Sequence, residues 1–286
     1  CPTGSEPPPG RPTGSGLERG PPAGYVGARP SQEATVPRTH LYTLLQARNP
    51  SDPARTDEHQ AFADKLGVRV ADIRAVDVLT ERLDDTLLES AHAMLVGGSG
   101  EYSVLDDIPP IRAFIAYLAH VAESGHPMFA SCFGFQALAL GLGGSVEHDE
   151  DNAEVGTYDL ELTEAGAADA LFGALPSGFK AQLGHKDQVR RMPAGCTNLA
   201  QSTRTRHQAY RVDGRPVYAT QFHPELSWRE NRARFERYYE EYGRVFGEES
   251  ARAQLDGPQP SPEANTLLSR FAANFVPGAA RAGEGA

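Results

Sequence analysis

The stretch FASCFGFQALALG, residues 129–141, decides the fold. The apolar run HPMFASC (126–132) enters Cys132 with the texture of a buried strand, and the residues that leave Cys132 have helical composition. Strand, tight turn and helix in that order make one step of a parallel α/β sheet, with the turn residue displayed at the strand's carboxyl end. Small residues at Ala130 and Gly134 permit the close approach of the two elements. A thiol at a helix N-terminus meets free backbone amides and the positive end of the helix dipole, both of which favour thiolate. The Phe133 N–H points into the same space, ready for an oxyanion. Gln136, four residues on, projects from the same helix face and can meet a polar substrate. Taken alone, Cys132 also reads as a buried core cysteine, the commoner role of a thiol in an apolar stretch.

Outward from this motif, strand and helix alternate. LYTLLQAR, IRAVDVL and AHAMLVGG read as strands, DEHQAFADKLG as a helix, and IPPIRAFIAYLAHVAESG as an amphipathic helix stopped by Gly125. That alternation predicts an α/β fold with a mostly parallel sheet covered by helices. Between residues 155 and 222 the texture is more strand-like, and Asp213-Gly214 marks a hairpin. SWRENRARFERYYEEYG and SPEANTLLSRFAANFV read as two further helices, separated by a Gly/Pro-rich linker near 257–262. The opening segment holds 9 of the 22 prolines and little apolar surface, so residues 1–38 are expected to be a disordered tail. The domain proper is placed at 39–247, and 248–286 is an extension with one helix and a disordered end.

The formal charge of the 286-residue chain is -11, which argues against a nucleic-acid partner. Three cysteines, Cys1, Cys132 and Cys196, are too few for a disulfide framework and lack metal-ligand spacing, so neither metal nor cofactor is expected. No apolar run reaches the roughly 20 residues that span a bilayer, and a cytoplasmic location is expected. A chain that starts with cysteine reads as truncated or processed, although a lipidated mature N-terminus also begins that way.

A thiolate nucleophile needs a base, and QFHPELS (221–227) offers one. In an extended segment His223 and Glu225 project to the same side, and Pro224 holds His223 extended. A carboxylate beside the imidazole fixes its tautomer, so Cys132, His223 and Glu225 make a triad candidate. By itself the segment also fits a solvated His-Pro-Glu turn. LVGGSGEYSV (95–104) leaves backbone amides near a strand end; it has neither Walker nor dinucleotide spacing and reads as an oxyanion loop or an ordinary glycine-rich turn. His148, among acidic residues, reads as part of a solvated loop ahead of a metal site, Glu154 as an exposed surface carboxylate ahead of a residue near the pocket mouth, Cys196 as an inert thiol, and Trp228 as packing for the helix that follows it.

Together, VGGSG, FASCFGFQ, HKDQV (185–189) and QFHPE, in that order, resemble the class I (triad) glutamine amidotransferases over roughly residues 40–245. The variants GGSGEYSV, ASCFGFQ and HKDQV are most similar to the stand-alone branch that is like the amidotransferase domain of GMP synthetase. The resemblance implies a flavodoxin-like three-layer sandwich that hydrolyses the γ-amide of glutamine through a thioester and releases ammonia. It implies Cys132 as nucleophile, His223 as base and acid, and Glu225 as its orienting partner. Gly98 and Phe133 are implied as oxyanion-hole amides, and Gln136, His185 and Asp187 as substrate-binding residues. Relatives usually have glycine where this chain has Ala130, which is still small enough for the turn. Such enzymes pass ammonia to a synthetase that is a further domain or a separate protein, and the 40 or so C-terminal residues are too few to be one, so the acceptor is expected on a partner. The same triad also serves a γ-glutamyl peptidase or hydrolase acting on small γ-glutamyl amides. A catalytically silent regulatory module is the third reading, and it predicts a damaged triad.

Overall fold

A computed structural model describes residues 40–237 and 257–276, with scattered positions between 239 and 255. The expected disordered tail, the last ten residues and most of the helix predicted beyond Arg237 lie outside the described residues. In chain order the elements are β1 (His40–Gln46), α1 (Ala54–Leu66), β2 (Ile73–Asp77), α2 (Asp85–Ser90), β3 (Ala91–Val96), α3 (Pro109–Ser124), β4 (Met128–Ser131), α4 (Phe133–Gly141) and β5 (Ser145–His148). They continue with β6 (Glu154–Leu162), α5 (Glu164–Ala167), β7 (Gly178–His185), β8 (Asp187–Arg191), β9 (Cys196–Gln201), β10 (Ala209–Val212), β11 (Val217–Thr220), α6 (Trp228–Arg237) and α7 (Pro262–Phe275).

The α/β sandwich expected from the alternation is the fold observed. One nine-stranded sheet runs β2-β1-β3-β4-β11-β10-β9-β6-β7. Its strands are parallel from β2 through β11 and antiparallel beyond, where the β10–β11 hairpin turns at Gly214 with φ of 72°. Strands β5 and β8 form a separate antiparallel ribbon.

The parallel strands are apolar on both faces because helices cover both. Leu44, Leu95 and Phe129 look into one core with Phe62 of α1 and Phe271 of α7. Their neighbours Leu45, Met94 and Met128 look into the other, with Phe114 and Leu118 of α3 and Phe135 of α4. Pro109 opens α3 without losing a needed hydrogen bond, and Gly125 closes it in the left-handed conformation. Expected as part of an extension, α7 packs inside the first core: Phe271 meets Phe129 edge-on at 5.5 Å.

Candidate active site

Sheet order builds the site. In β3-β4-β11, three adjacent parallel strands end side by side, with Val96 opposite Ala130 and Ser131 opposite Thr220. The segments that follow them, 97–100, Cys132 and 221–225, therefore converge at the carboxyl edge, where open α/β sheets bind ligands.

Cys132 has φ of 50° and ψ of -100° and is the only non-glycine residue with positive φ among the described residues. Its N–H donates to Thr220 O at 2.8 Å, which pins the strained turn to β11. Gly134 has to lack a side chain: a Cβ there would sit 2.6 Å from Val96 Cγ1 and 3.1 Å from Ala130 Cβ. Ala130, with its small side chain, fits in this turn. The thiol is buried, with Gln221 Nε2 at 3.8 Å and Gly184 O at 3.9 Å from Sγ. Phe133 is the first residue of α4, and its N–H, like the others of a first helical turn, has no acceptor within the helix.

His223 Nδ1 lies 2.6 Å from Glu225 Oε1, and both side chains are buried. Burial disfavours the charged ring, but the Glu225 carboxylate and contact with Cys132 outweigh it and push the His223 pKa up to about 9. With Nδ1 held by the carboxylate, Nε2 is the ring nitrogen left for contact with Cys132. The three residues expected to act together are thus brought together.

Gly98 departs from its expected role. Its N–H donates to Glu58 Oε1 at 3.0 Å instead of facing the pocket unpaired. Glu58, fully buried on α1, also binds Gln46 Nε2 at 2.9 Å and Arg48 Nη2 at 3.0 Å, and burial is outweighed by Arg48 and Arg234, which hold its carboxyl below the ordinary carboxylate range. A Cβ on Gly97 would overlap the Glu58 carboxylate, and one on Gly98 would come within 2.9 Å of His223 Cε1. Both glycines are spacers in a tightly packed wall.

In front of Cys132 lies a cavity of about 440 Å³, walled by Ser99–Ser103, Gln136, His148, His185 and Asp187. Gln136 spends its amide nitrogen inside the protein, on Asp187 O at 2.6 Å and Gln221 Oε1 at 3.1 Å. Asp187 accepts from Ser103 Oγ at 2.5 Å and pairs with His148 Nδ1 at 2.6 Å. His148, read as a loop residue, therefore belongs to the cavity wall; its bond to Asp187 raises its pKa. Among the described residues no histidine, cysteine and carboxylate cluster has the arrangement to hold a metal.

Glu154 corrects a second reading. Instead of lying exposed it is fully buried, accepting from Ser202 Oγ at 2.7 Å and Gln208 Nε2 and pairing with His185 Nε2 at 3.0 Å. Burial alone would raise its pKa; His185 and Ser202 reverse the direction and keep it low. His185 is fixed from its other side by Asp187 O at 3.0 Å. Cys196 is free and half-buried, with its pKa pushed up to about 11 by burial and Asp213, as suits an unreactive thiol. Trp228 opens α6 and carries the Arg229 guanidinium 4.7 Å above its ring.

Sequence reasoning missed Gln221, Glu58 and Ser103. Gln221 was findable, because in the extended QFHPE segment residues 221, 223 and 225 share one side. Nothing local marks Glu58.

The family model described as glutamine amidotransferase class-I matches residues 60–238. Similar curated proteins include a glutamine-hydrolysing GMP synthase subunit of Methanocaldococcus jannaschii, 35% identical over 101 residues (35% of this chain, 52% of that one). GMP synthase of Lacticaseibacillus rhamnosus is 39% identical over 106 residues, 37% of this chain and 20% of that one. The chain thus spans between a fifth and about half of these relatives' length. A glutamine amidotransferase crystal structure from Thermotoga maritima superposes with a TM-score of 0.62 at 19% identity, covering 82% of this chain and 97% of that one, and shows the shared fold.

Proposed function

The chain belongs to the class-I glutamine amidotransferase family, and on that premise we propose that it hydrolyses the γ-amide of glutamine with Cys132, His223 and Glu225. The observation that carries the reading is the convergence of a strained, buried Cys132 with a His223–Glu225 pair at the end of three adjacent strands. The Cys132 sulfur, its proton passed to His223, attacks the γ-carbonyl carbon, and the electron pair of the C=O moves onto oxygen. The Phe133 N–H receives that oxyanion; the Gly98 N–H joins it only by leaving Glu58. His223, charged at neutral pH, gives its proton to the departing nitrogen, so the C–N bond breaks and ammonia leaves a γ-glutamyl thioester. The neutral ring then takes a proton from water, which attacks the thioester, and glutamate departs as the thiol is restored. Glu225 holds the ring and offsets its charge throughout.

Ammonia released in this way would pass to an acceptor on a synthetase partner, a role supported by the Methanocaldococcus jannaschii relative, itself named as one subunit of a GMP synthase. The cavity of about 440 Å³ extends past Cys132 toward Leu105 and His148, which favours a second reading, a γ-glutamyl hydrolase whose leaving group is larger than ammonia. The test is turnover of glutamine by the purified chain, with ammonia and glutamate measured together beside Cys132→Ala. Equal, cysteine-dependent release of both supports the amidase; activity only on bulkier γ-glutamyl amides supports the hydrolase; activity that survives Cys132→Ala refutes both.

A further inference from the structure

Behind the β5/β8 ribbon lies a second basin of about 510 Å³. It is walled by the turn after β5, by β8 and by the loop between β9 and β10. Four of its nine lining residues are arginines, Arg190, Arg191, Arg204 and Arg206, and the one carboxylate among the nine is Asp149. Among the described residues Asp149 forms an ion pair with none of them. Its oxygens are taken by Asn152 Nδ2 at 2.9 Å and by Gln188 Nε2. Arg190 has only a long contact to Glu147 at 3.6 Å, and Arg204 donates to the Asp151 and Ala153 carbonyls. Arg191 and Arg206 have no ion-pair partner among the described residues. The basin also contains a buried polar atom without a hydrogen-bond partner, His207 Nδ1.

In a chain of formal charge -11, cations with few carboxylate partners are gathered in one concavity against their mutual repulsion. Guanidinium groups match phosphate oxygens bidentately, and the volume falls in the range of small-molecule sites. We propose that this basin binds a small phosphorylated anion, seated by Arg191 and Arg206 and separate from the cavity at Cys132. The ribbon is the partition between the two. His148 opposite Asp187 faces the Cys132 cavity, while the next residues, Asp149 and Gln188, face the arginines. An occupant of the basin therefore bears on the strand that holds Asp187.

Inorganic tripolyphosphate is the probe, titrated calorimetrically into the full chain and into Arg191→Ser/Arg206→Ser. Both side chains stand at the surface outside the core, and Arg204, which ties two loops together, is left in place. The expected result is saturable binding that weakens about tenfold or more in the double variant, as befits lost charge-assisted bonds. Slower amide exchange confined to residues 187–191 and 204–207 would support the location. Binding that is absent, is matched by sodium chloride at equal ionic strength, or is unchanged in the double variant would overturn the proposal. Equal or tighter binding of citrate would overturn the phosphate assignment, and polyglutamate binding in place of tripolyphosphate would point to an acidic protein segment and overturn the small-molecule site.

Discussion

Replacing Glu225 with glutamine isolates the electrostatic half of the proposed triad. In the folded chain burial pulls the His223 pKa down, and Glu225, the largest opposing influence, and Cys132 bring it up to about 9 from 6.5. At 1.36 kcal/mol per unit, the net preference for the imidazolium is about 3 kcal/mol. Glutamine keeps an oxygen for the Nδ1 proton and removes the charge, which leaves Cys132 to oppose burial and lets the pKa fall from about 9. Each 1.36 kcal/mol of that preference lost from a step that needs the imidazolium lowers the rate about tenfold, and losing all of it lowers the rate roughly 100-fold. The assay is kcat/KM for glutamine against pH. The native protein should lose activity on a limb near pH 9, where the proton donor is lost, and the variant's limb should move to lower pH. Stability follows the same sign. A raised folded pKa contributes stability that is fully present below pH 6.5 and lost as pH rises through about 9. The native Tm should therefore fall across that window and the variant's should not. Glu225 Oε2 has no partner, so a glutamine amide placed there is buried without an acceptor and costs about 1–3 kcal/mol. Activity is accordingly compared at a temperature where circular dichroism shows both proteins folded. A variant limb still near pH 9, or kcat/KM within threefold of native, would refute the reasoning.

Three further outcomes follow from the geometry. Cys132→Gly should unfold at least as high as Cys132→Ala in thermal melts, because alanine keeps a positive-φ strain of about 1–3 kcal/mol that glycine relieves; a clearly less stable glycine variant would mean the turn is unstrained. Gly134→Ala should cost about 1–3 kcal/mol in urea unfolding through overlap with Val96 and Ala130, and full native stability would contradict the packing. Arg48→Met leaves the buried Glu58 charge to the longer Arg234 contact at 3.7 Å and should cost up to about 3–5 kcal/mol, part of which Arg48→Met/Glu58→Gln recovers. Because the Glu58 pKa is depressed, its stability is present above its unfolded value near 4.5 and lost as pH falls through the folded one, so the double variant should show a shallower acid limb.

What was legible in the sequence is what covalent neighbours impose. The step from HPMFASC into a helix can fold only as a sharp strand-to-helix turn, and residues two apart in an extended segment share a side, so the Cys132 elbow and the His223–Glu225 pair were both readable. What was not legible depends on which residue arrives from elsewhere in the chain. Glu154 stands in an acidic run that reads as surface, yet His185, Ser202 and Gln208 converge on it from three other segments and make burial tolerable. The amphipathic pattern of α7 announced a helix but not the aromatic face at Phe129 and Tyr218 against which Phe271 packs. The glycines at 97 and 98 show the difference most sharply. In the sequence, their lack of side chains reads as leaving amides exposed for an oxyanion. It instead makes room, at Gly97 for the Glu58 carboxylate from α1 and at Gly98 for the His223 ring from the end of β11. Glu58 then claims the Gly98 N–H itself. A glycine pair at a strand end thus identifies where two other elements close on the loop, and the identity of those elements decides whether its amides are donors to a substrate or to the protein.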